Sequence, residues 1–379
     1  MSRLGPAAGL TALLRVIPKR RTKIVVHSRP DFEDGALAVL DELVARGYEP
    51  LVLLENPGAH HADASGLQAR GVAFAAKNSA QGRLHYLTAG TVFTTHPVYR
   101  AHASTGNQRV VYIGHGEPLT KSSGYWLGEE AIGATVALAS STVGRAFRCV
   151  QHGLRPQQVL LVGAPRNDRL LRTDRERMRQ AVAGWLPEET ETLFAWLPTF
   201  RGDISGGLDG VDLATGTPLD LEGLRNVDRW LAANRAAILL KPHRRSSSDP
   251  TGGFECIRTI DEDDLSAAGH SLSSVLAAAD CLITDASSIW VDFLLLGRPL
   301  ICCFPDLDEY RETRGLNLEP YDAWFPGPLV ANADGLLEEM AQVAGGADPY
   351  AERREWLTRT LHAHRDGKAS ARLLDALGL

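Results

Sequence analysis

The sequence predicts two α/β domains in tandem, each built on an open parallel sheet. Three observations carry this expectation. Short β-branched or aliphatic runs alternate with segments of helical periodicity, the pattern of parallel strands joined by crossover helices. The runs fall into two series, divided by an Arg-rich helical stretch, Pro187 and an acidic run from Glu188 to Glu191. The chain has 379 residues, the length of two domains that can each bury a core.

The first series reads Lys23–His27, Pro50–Leu54, Thr91–Thr94, Val110–Ile113, Val136–Ala139 and Val159–Val162. Between its first two members, Gly35–Arg46 places apolar residues at helical spacing and stops at Gly47. The second series reads Leu193–Leu197, Ala237–Lys241, Cys281–Thr284, Leu300–Phe304 and Leu329–Val330. The helical stretch 165–184 separates the two, which sets domains at 1–184 and 185–345, with C-terminal helices at 346–379 packing back towards the first domain. Residues 202–222, rich in Gly, Asp and Thr, read as a long loop after a strand, a common place for a functional lid. Facing domains of this kind bind ligands at the carboxyl ends of their strands.

Charge is unevenly placed. The chain holds 40 basic and 46 acidic residues, net −6, which argues against a general nucleic-acid binder. Residues 1–30 nevertheless carry Arg3, Arg15, Lys19, Arg20, Arg21, Lys23 and Arg29 and no acid. Residues 1–23 therefore read as a basic arm, and Gly9–Lys23 as a short amphipathic helix suited either to an anionic membrane surface or to a solvated start of the fold. The cluster follows the apolar stretch instead of preceding it, unlike a signal peptide, and no run reaches the roughly 18 apolar residues of a membrane span. The five cysteines lack metal-ligand spacing, and Cys302 and Cys303 sit inside an apolar run as buried thiols, which fits a reducing cytoplasm.

Several strand ends carry chemistry. A buried strand, a sharp turn and a helix opening on Asp285, Ser287 and Ser288 offer free N–H groups and hydroxyls to a phosphate, although the same residues are ordinary helix caps. Asp292 follows on that helix. His115 stands between Gly114 and Gly116 directly after a strand, where it can take a proton from a hydroxyl. Thr199 and Arg201, Lys241 and His243, and Arg166 end three further strands. A cationic set so placed suits a diphosphate and its developing charge. Asp306, Asp308 and Glu309 form an acidic cluster ahead of Arg311 and Arg314, which ion pairs and capping explain as well as Mg²⁺ does. No P-loop and no dinucleotide fingerprint is present, and no metal or other cofactor is expected.

Taken in order, these segments resemble the CDP-glycerol glycerophosphotransferase family of teichoic-acid primases and polymerases. The matching elements are His115-Gly-Glu-Pro-Leu119, Gly163-Ala-Pro-Arg-Asn-Asp168, Pro198-Thr-Phe-Arg201, Lys241-Pro-His243, Asp285-Ala-Ser-Ser to Asp292-Phe293, the run from Asp306 to Gly315, Phe325-Pro-Gly-Pro-Leu329 and Asp366-Gly-Lys368. The chain departs from the family pattern where Thr120 precedes Lys121, where Ala164 and Ala286 replace aromatic residues, and where Arg244 replaces a proline.

The resemblance implies a GT-B fold, with an acceptor-side Rossmann-like domain followed by a CDP-donor-binding one. It implies transfer of a polyol phosphate, glycerol phosphate foremost with ribitol phosphate open, from a CDP-activated donor to a hydroxyl acceptor, releasing CMP in cell-wall or capsule polymer synthesis. His115 and His243 would be catalytic. Arg166, Thr199, Arg201, Lys241, Asp285, Ser287, Ser288 and Asp292 would bind the donor diphosphate or nucleotide, and Lys121, Arg311 and Arg314 would lie on the acceptor side. The expected partners are the CDP-alcohol, a polyol-phosphate or lipid-linked acceptor and an anionic membrane surface, with a cytoplasmic, peripheral location. The alternatives are a GT-B glycosyltransferase using a nucleotide sugar, and a non-catalytic nucleotide-binding membrane adaptor.

Overall fold

The computed structural model describes residues 13–58, 62–99, 107–120, 133–199, 217–242 and 253–379, and the chain divides into two compact units. The first unit takes the chain up to residue 172, apart from 119–122, together with 361–379. Its sheet has seven strands: β1 (Arg20–His27), β2 (Leu51–Leu54), β3 (Ala73–Ala76), β4 (Ala89–Thr94), β5 (Arg109–Tyr112), β6 (Val136–Ala139) and β7 (Val159–Leu161). They lie in the order β3-β2-β1-β4-β5-β6-β7, all parallel. The two-residue period of a strand sends Ile24 and Val26 into one core and Val25 into the other, so both faces are apolar, as a helix-covered parallel sheet requires.

Helices α1 (Asp34–Ala45), α2 (Ala62–Ala69), α3 (Ala80–Thr88), α4 (Thr142–His152) and α5 (Arg166–Arg172) connect these strands. Glu33 caps α1, its carboxylate accepting from Gly35 N at 2.8 Å. Val39, Leu40 and Leu43 then bury one face, and Gly47 ends the segment at φ 82°. Strand order reverses between β1 and β4, so the carboxyl ends of these two strands open the ligand-binding edge of such a sheet.

The second unit comprises residues 119–122 and 173–360. Its six parallel strands, β8 (Thr192–Leu197), β9 (Ala236–Leu240), β10 (Ile257–Thr259), β11 (Cys281–Thr284), β12 (Leu300–Cys303) and β13 (Leu329–Val330), lie in the order β10-β9-β8-β11-β12-β13. The reversal falls between β8 and β11. Its helices are α6 (Arg175–Val182), α7 (Leu221–Ala233), α8 (Glu262–Ala267), α9 (Leu272–Leu276), α10 (Ile289–Phe293), α11 (Leu307–Thr313), α12 (Tyr321–Trp324), α13 (Ala333–Ala344) and α14 (Ala351–Leu361). Leu224, Val227 and Leu231 of α7 join Leu336 and Met340 of α13 on one sheet face, with Cys281 and Cys303 buried among them.

Several details differ from the sequence expectation. Strands β3 and β10 were not among the expected runs. The division falls at 172/173, ahead of 184/185, because Val182, Met178 and Trp185 pack with Leu193 and Leu239 of the second sheet. Helix α14 belongs to the second unit, through Thr358 Oγ1 to Leu294 O at 3.3 Å, whereas the last helix, α15 (Ala369–Leu377), belongs to the first. Most of the expected loop 202–222 lies outside the described residues, and its end is already α7, capped by Asp220 on Gly223 N at 2.8 Å. The basic arm overlaps β1 from Arg20, and Lys19 and Lys23 are spent on local bonds to Leu14 O, Leu87 O and Thr88 Oγ1. Among the described residues, no helix is long and apolar enough to cross a membrane.

Candidate active site

In the second unit the reversal point is a stapled turn. Thr284 Oγ1 donates to Leu197 O at 2.6 Å. The Asp285 carboxylate accepts from Thr199 N at 2.9 and 3.1 Å and from Thr199 Oγ1 at 2.5 Å. Tyr321 OH donates to the Asp285 carbonyl at 2.7 Å. Asp285 is wholly buried and Thr199 nearly so. Both sequence-predicted residues thus sit beneath the surface and hold the ends of β8 and β11 together.

That turn presents Ser287 and Ser288, both half-buried. Ser287 Oγ accepts weakly from Ile289 N at 3.4 Å, while Ser288 makes no side-chain cap. The helix they open, α10, has only 5 residues before a 3₁₀ turn and Gly297, so the expected dipole contribution to anion binding is small. Asp292 is buried on that helix. Lys241, at the end of β9, donates to Glu262 Oε1 at 2.9 Å. Arg201, His243 and Lys121 lie outside the described residues.

The expected acceptor-side arginines are engaged locally. Arg311 donates to Glu319 Oε1 at 2.8 Å and pairs with Asp308 at 2.5 Å. Arg314 lies over the Tyr310 ring, 5.9 Å from its centroid. Of the acidic cluster, Asp308 is the member that Arg311 engages. Among the described residues, no group of three or more His, Cys, Asp or Glu side chains is placed to hold a metal ion.

In the first unit, His115 stands exposed one residue beyond Gly114, at the end of β5. Gly114 and Gly116 have φ of 89° and 128°, conformations that L side chains rarely adopt, so the flanking glycines are a backbone requirement. The loop is anchored from beneath. Buried Arg148 of α4 donates to Gly116 O through Nη2, to Leu138 O at 3.3 Å and to Gln151 Oε1 at 2.8 Å, with its guanidinium 4.9 Å from the Tyr112 ring centre. Glu117 Oε1 accepts from Ser140 N at 3.0 Å and Ser140 Oγ at 2.7 Å.

Arg166 is in this unit too. It lines a small pocket with Gly114, Gly116, Glu117, Arg148 and Gly35, beside the His115 loop. Its guanidinium pulls on Glu33, whose carboxyl burial nonetheless pushes up to about 7. Arg148, Glu117 and Ser140 escaped sequence reasoning, because a buried arginine among many exposed ones has no signature of its own. His27 and His96 escaped it as well. His27 ends β1 and His96 lies two residues beyond β4, at the reversal point, and only strand order reveals that.

Comparisons agree with this architecture. The sequence matches the model of the CDP-Glycerol:Poly(glycerophosphate) glycerophosphotransferase family over residues 11–378. The teichoic acid ribitol-phosphate primase of Bacillus spizizenii is 30% identical over 59% of this chain and 53% of its own. The teichoic acid glycerol-phosphate transferase of Staphylococcus aureus is 28% identical over 58% of this chain and 54% of its own. The chain thus spans about half the length of these curated relatives. A structure of the wall teichoic acid polymerase TagF superposes with TM-score 0.76 at 20% identity, covering 95% of this chain and 89% of that one, which establishes the GT-B fold. With the family model spanning almost the whole sequence, the chain belongs to the CDP-glycerol:poly(glycerophosphate) glycerophosphotransferase family.

Proposed function

We propose that the protein transfers glycerol phosphate from CDP-glycerol to an acceptor hydroxyl and releases CMP, in the synthesis of a teichoic-acid-like polymer. The observation that carries this reading is His115, exposed at a strand end on a loop whose shape Gly114, Gly116 and Arg148 dictate, in a chain of this family. The acceptor oxygen attacks the β-phosphorus of the donor as His115 takes its proton. The new P–O bond forms, the bond to CMP breaks, and CMP leaves carrying the charge.

Ser287, Ser288 and Lys241 of the second unit, with Arg201 and His243, hold and neutralise the diphosphate. Positioning and electrostatic stabilisation carry most of phosphoryl transfer, so this set does the work that a metal does elsewhere. Asp285 and Thr199 support them from below, and Arg166 serves the His115 side. Turnover in excess EDTA is expected to equal turnover without it.

The test is CMP release from CDP-glycerol, CDP-ribitol and UDP- or GDP-sugars by the purified chain with a short poly(glycerol phosphate) acceptor. CMP from a CDP-alcohol supports the reading, whereas release of UDP or GDP alone overturns it in favour of glycosyl transfer. His115→Ala should lower CMP release by about 10²–10⁴-fold, the usual contribution of a general base. A ribitol donor is the second reading, favoured by the ribitol-phosphate primase at 30% identity.

The same reading puts the protein in the cytoplasm, on the inner face of the membrane through its N-terminal arm. Leu13 and Val16 support this, standing 46% and 74% exposed beside Arg15. Binding to anionic vesicles that weakens as salt rises is the expected result, and salt-insensitive binding or none removes the membrane from the reading.

A further inference from the structure

The imidazoles of His96 and His115 meet edge to face, with ring centres 4.8 Å apart and planes at 63°. They come from neighbouring strands, His96 after β4 and His115 after β5. His115 is exposed, and a neighbour against its ring narrows the rotamers open to a surface side chain.

His96 is itself firmly placed. Its Nδ1 lies 3.0 Å from Thr95 Oγ1, a hydroxyl that also accepts from Arg29 N at 3.1 Å. Its backbone N donates to Thr94 Oγ1 at 3.3 Å, and the Thr94 hydroxyl donates back to the His96 carbonyl. Thr94 Oγ1 lies 3.1 Å from Nδ1 of buried His27, whose Nε2 is 3.1 Å from Glu55 Oε1. Glu55 also pairs with Lys77. A chain of polar contacts therefore runs from buried His27 and half-buried Glu55 and Lys77, at the reversal point of the sheet, to the backbone of the residue whose ring touches His115.

We propose that His96 is a positioning residue for His115: its ring, held at Nδ1 by Thr95 on a backbone fixed by Thr94, keeps the His115 imidazole in the orientation that accepts the proton of the incoming hydroxyl. This rests on the transfer reading above, in which His115 is the base. A base displaced by about 1 Å can lose on the order of 100-fold in rate, so an orienting neighbour has a measurable effect without touching substrate.

The test uses the full chain labelled with ¹³C at histidine Cε1, the His115 resonance being assigned by its loss in His115→Ala. His96→Ala is expected to move the His115 resonance, because the ring current of its neighbour is gone, and to lower kcat roughly 10- to 100-fold with KM for CDP-glycerol within about twofold. His96→Phe, which keeps a ring edge, should recover most of that kcat. Wild-type kcat in His96→Ala, or an unmoved His115 resonance, overturns the proposal. Should His96→Ala fail to fold, His96→Asn keeps a polar group near Thr95 without a ring, and the same two readouts decide. If the wild-type protein releases no CMP, the transfer reading falls, while the resonance still reports whether His96 orders His115.

Discussion

Asp285 and Thr199 are joined three times over: the carboxylate of one receives the backbone N–H of the other at 2.9 and 3.1 Å and its hydroxyl at 2.5 Å. The link bridges β8 and β11 where strand order reverses, and both side chains are out of solvent. Asp285→Ala would leave the Thr199 N–H buried without this acceptor, which costs about 1–3 kcal/mol. A urea midpoint lowered by that amount, with loss of CMP release, is the expected result. Unchanged stability would show that β8 and β11 are held together without this carboxylate.

Arg148 makes the corresponding link in the first unit, and it is a link that lysine cannot copy. The guanidinium reaches Gly116 O, Leu138 O and Gln151 Oε1 while lying on Tyr112, which takes a planar fork of donors. Arg148→Lys keeps the charge and loses the fork, so stability should fall by about 1–3 kcal/mol. Because Gly116 adjoins His115, turnover should fall more steeply than folding. Equal losses in Arg148→Lys and in a distant destabilised variant would show that the loop does not depend on Arg148.

Sequence reading reached the elements whose residues say enough locally. The β-branched run of β1 and the Gly-ended helix α1 needed no partner to be legible. Strand β3, Ala-Phe-Ala-Ala, and the three-residue β10 have composition any loop shares, and only hydrogen bonding to β2 and β9 makes them strands. His115 was legible because its neighbours are glycines in a conformation other residues avoid. The dual nature of Asp285 was not, since the same Asp serves as a ligand, a cap or a strap depending on what β8 places opposite. Arg148 reads as one more surface arginine until the sheet surrounds it. His96 needed the strand order, because nothing in its local sequence says that β5 lies next to β4.

Stability should also depend on pH through Glu33. Burial raises its carboxyl from 4.5 to about 7, against the pull of Arg166. An acid whose folded pKa is raised adds stability that is complete below the unfolded value, declines as pH climbs towards the folded one, and is absent above it. The chain should therefore lose stability between about pH 4.5 and 7, at up to about 1.4 kcal/mol per pH unit. Glu33→Gln removes this slope. Urea midpoints of the two proteins at pH 5 and pH 8 measure it, and parallel behaviour of wild type and variant would mean that Glu33 titrates as an ordinary surface acid.

The last prediction concerns Asp168, whose carboxylate accepts from Ala369 N at 2.7 Å and Ser370 N at 2.8 Å. These are the first amides of α15, which have no partner within the helix, and they carry the positive end of its dipole. Asp168 ends the Gly163–Asp168 motif and Ala369 follows Asp366-Gly-Lys368, so two motifs far apart in sequence are joined by one carboxylate. Leu373 and Leu374 of α15 complete the core against Val26 and Leu40, which gives the helix its weight in the fold. Asp168→Ala should cost about 1–3 kcal/mol and speed hydrogen exchange at the Ala369 and Ser370 amides. Asp168→Asn retains one acceptor oxygen and should recover part of both losses. Exchange at these amides unchanged in Asp168→Ala would show that α15 is held by its apolar face alone.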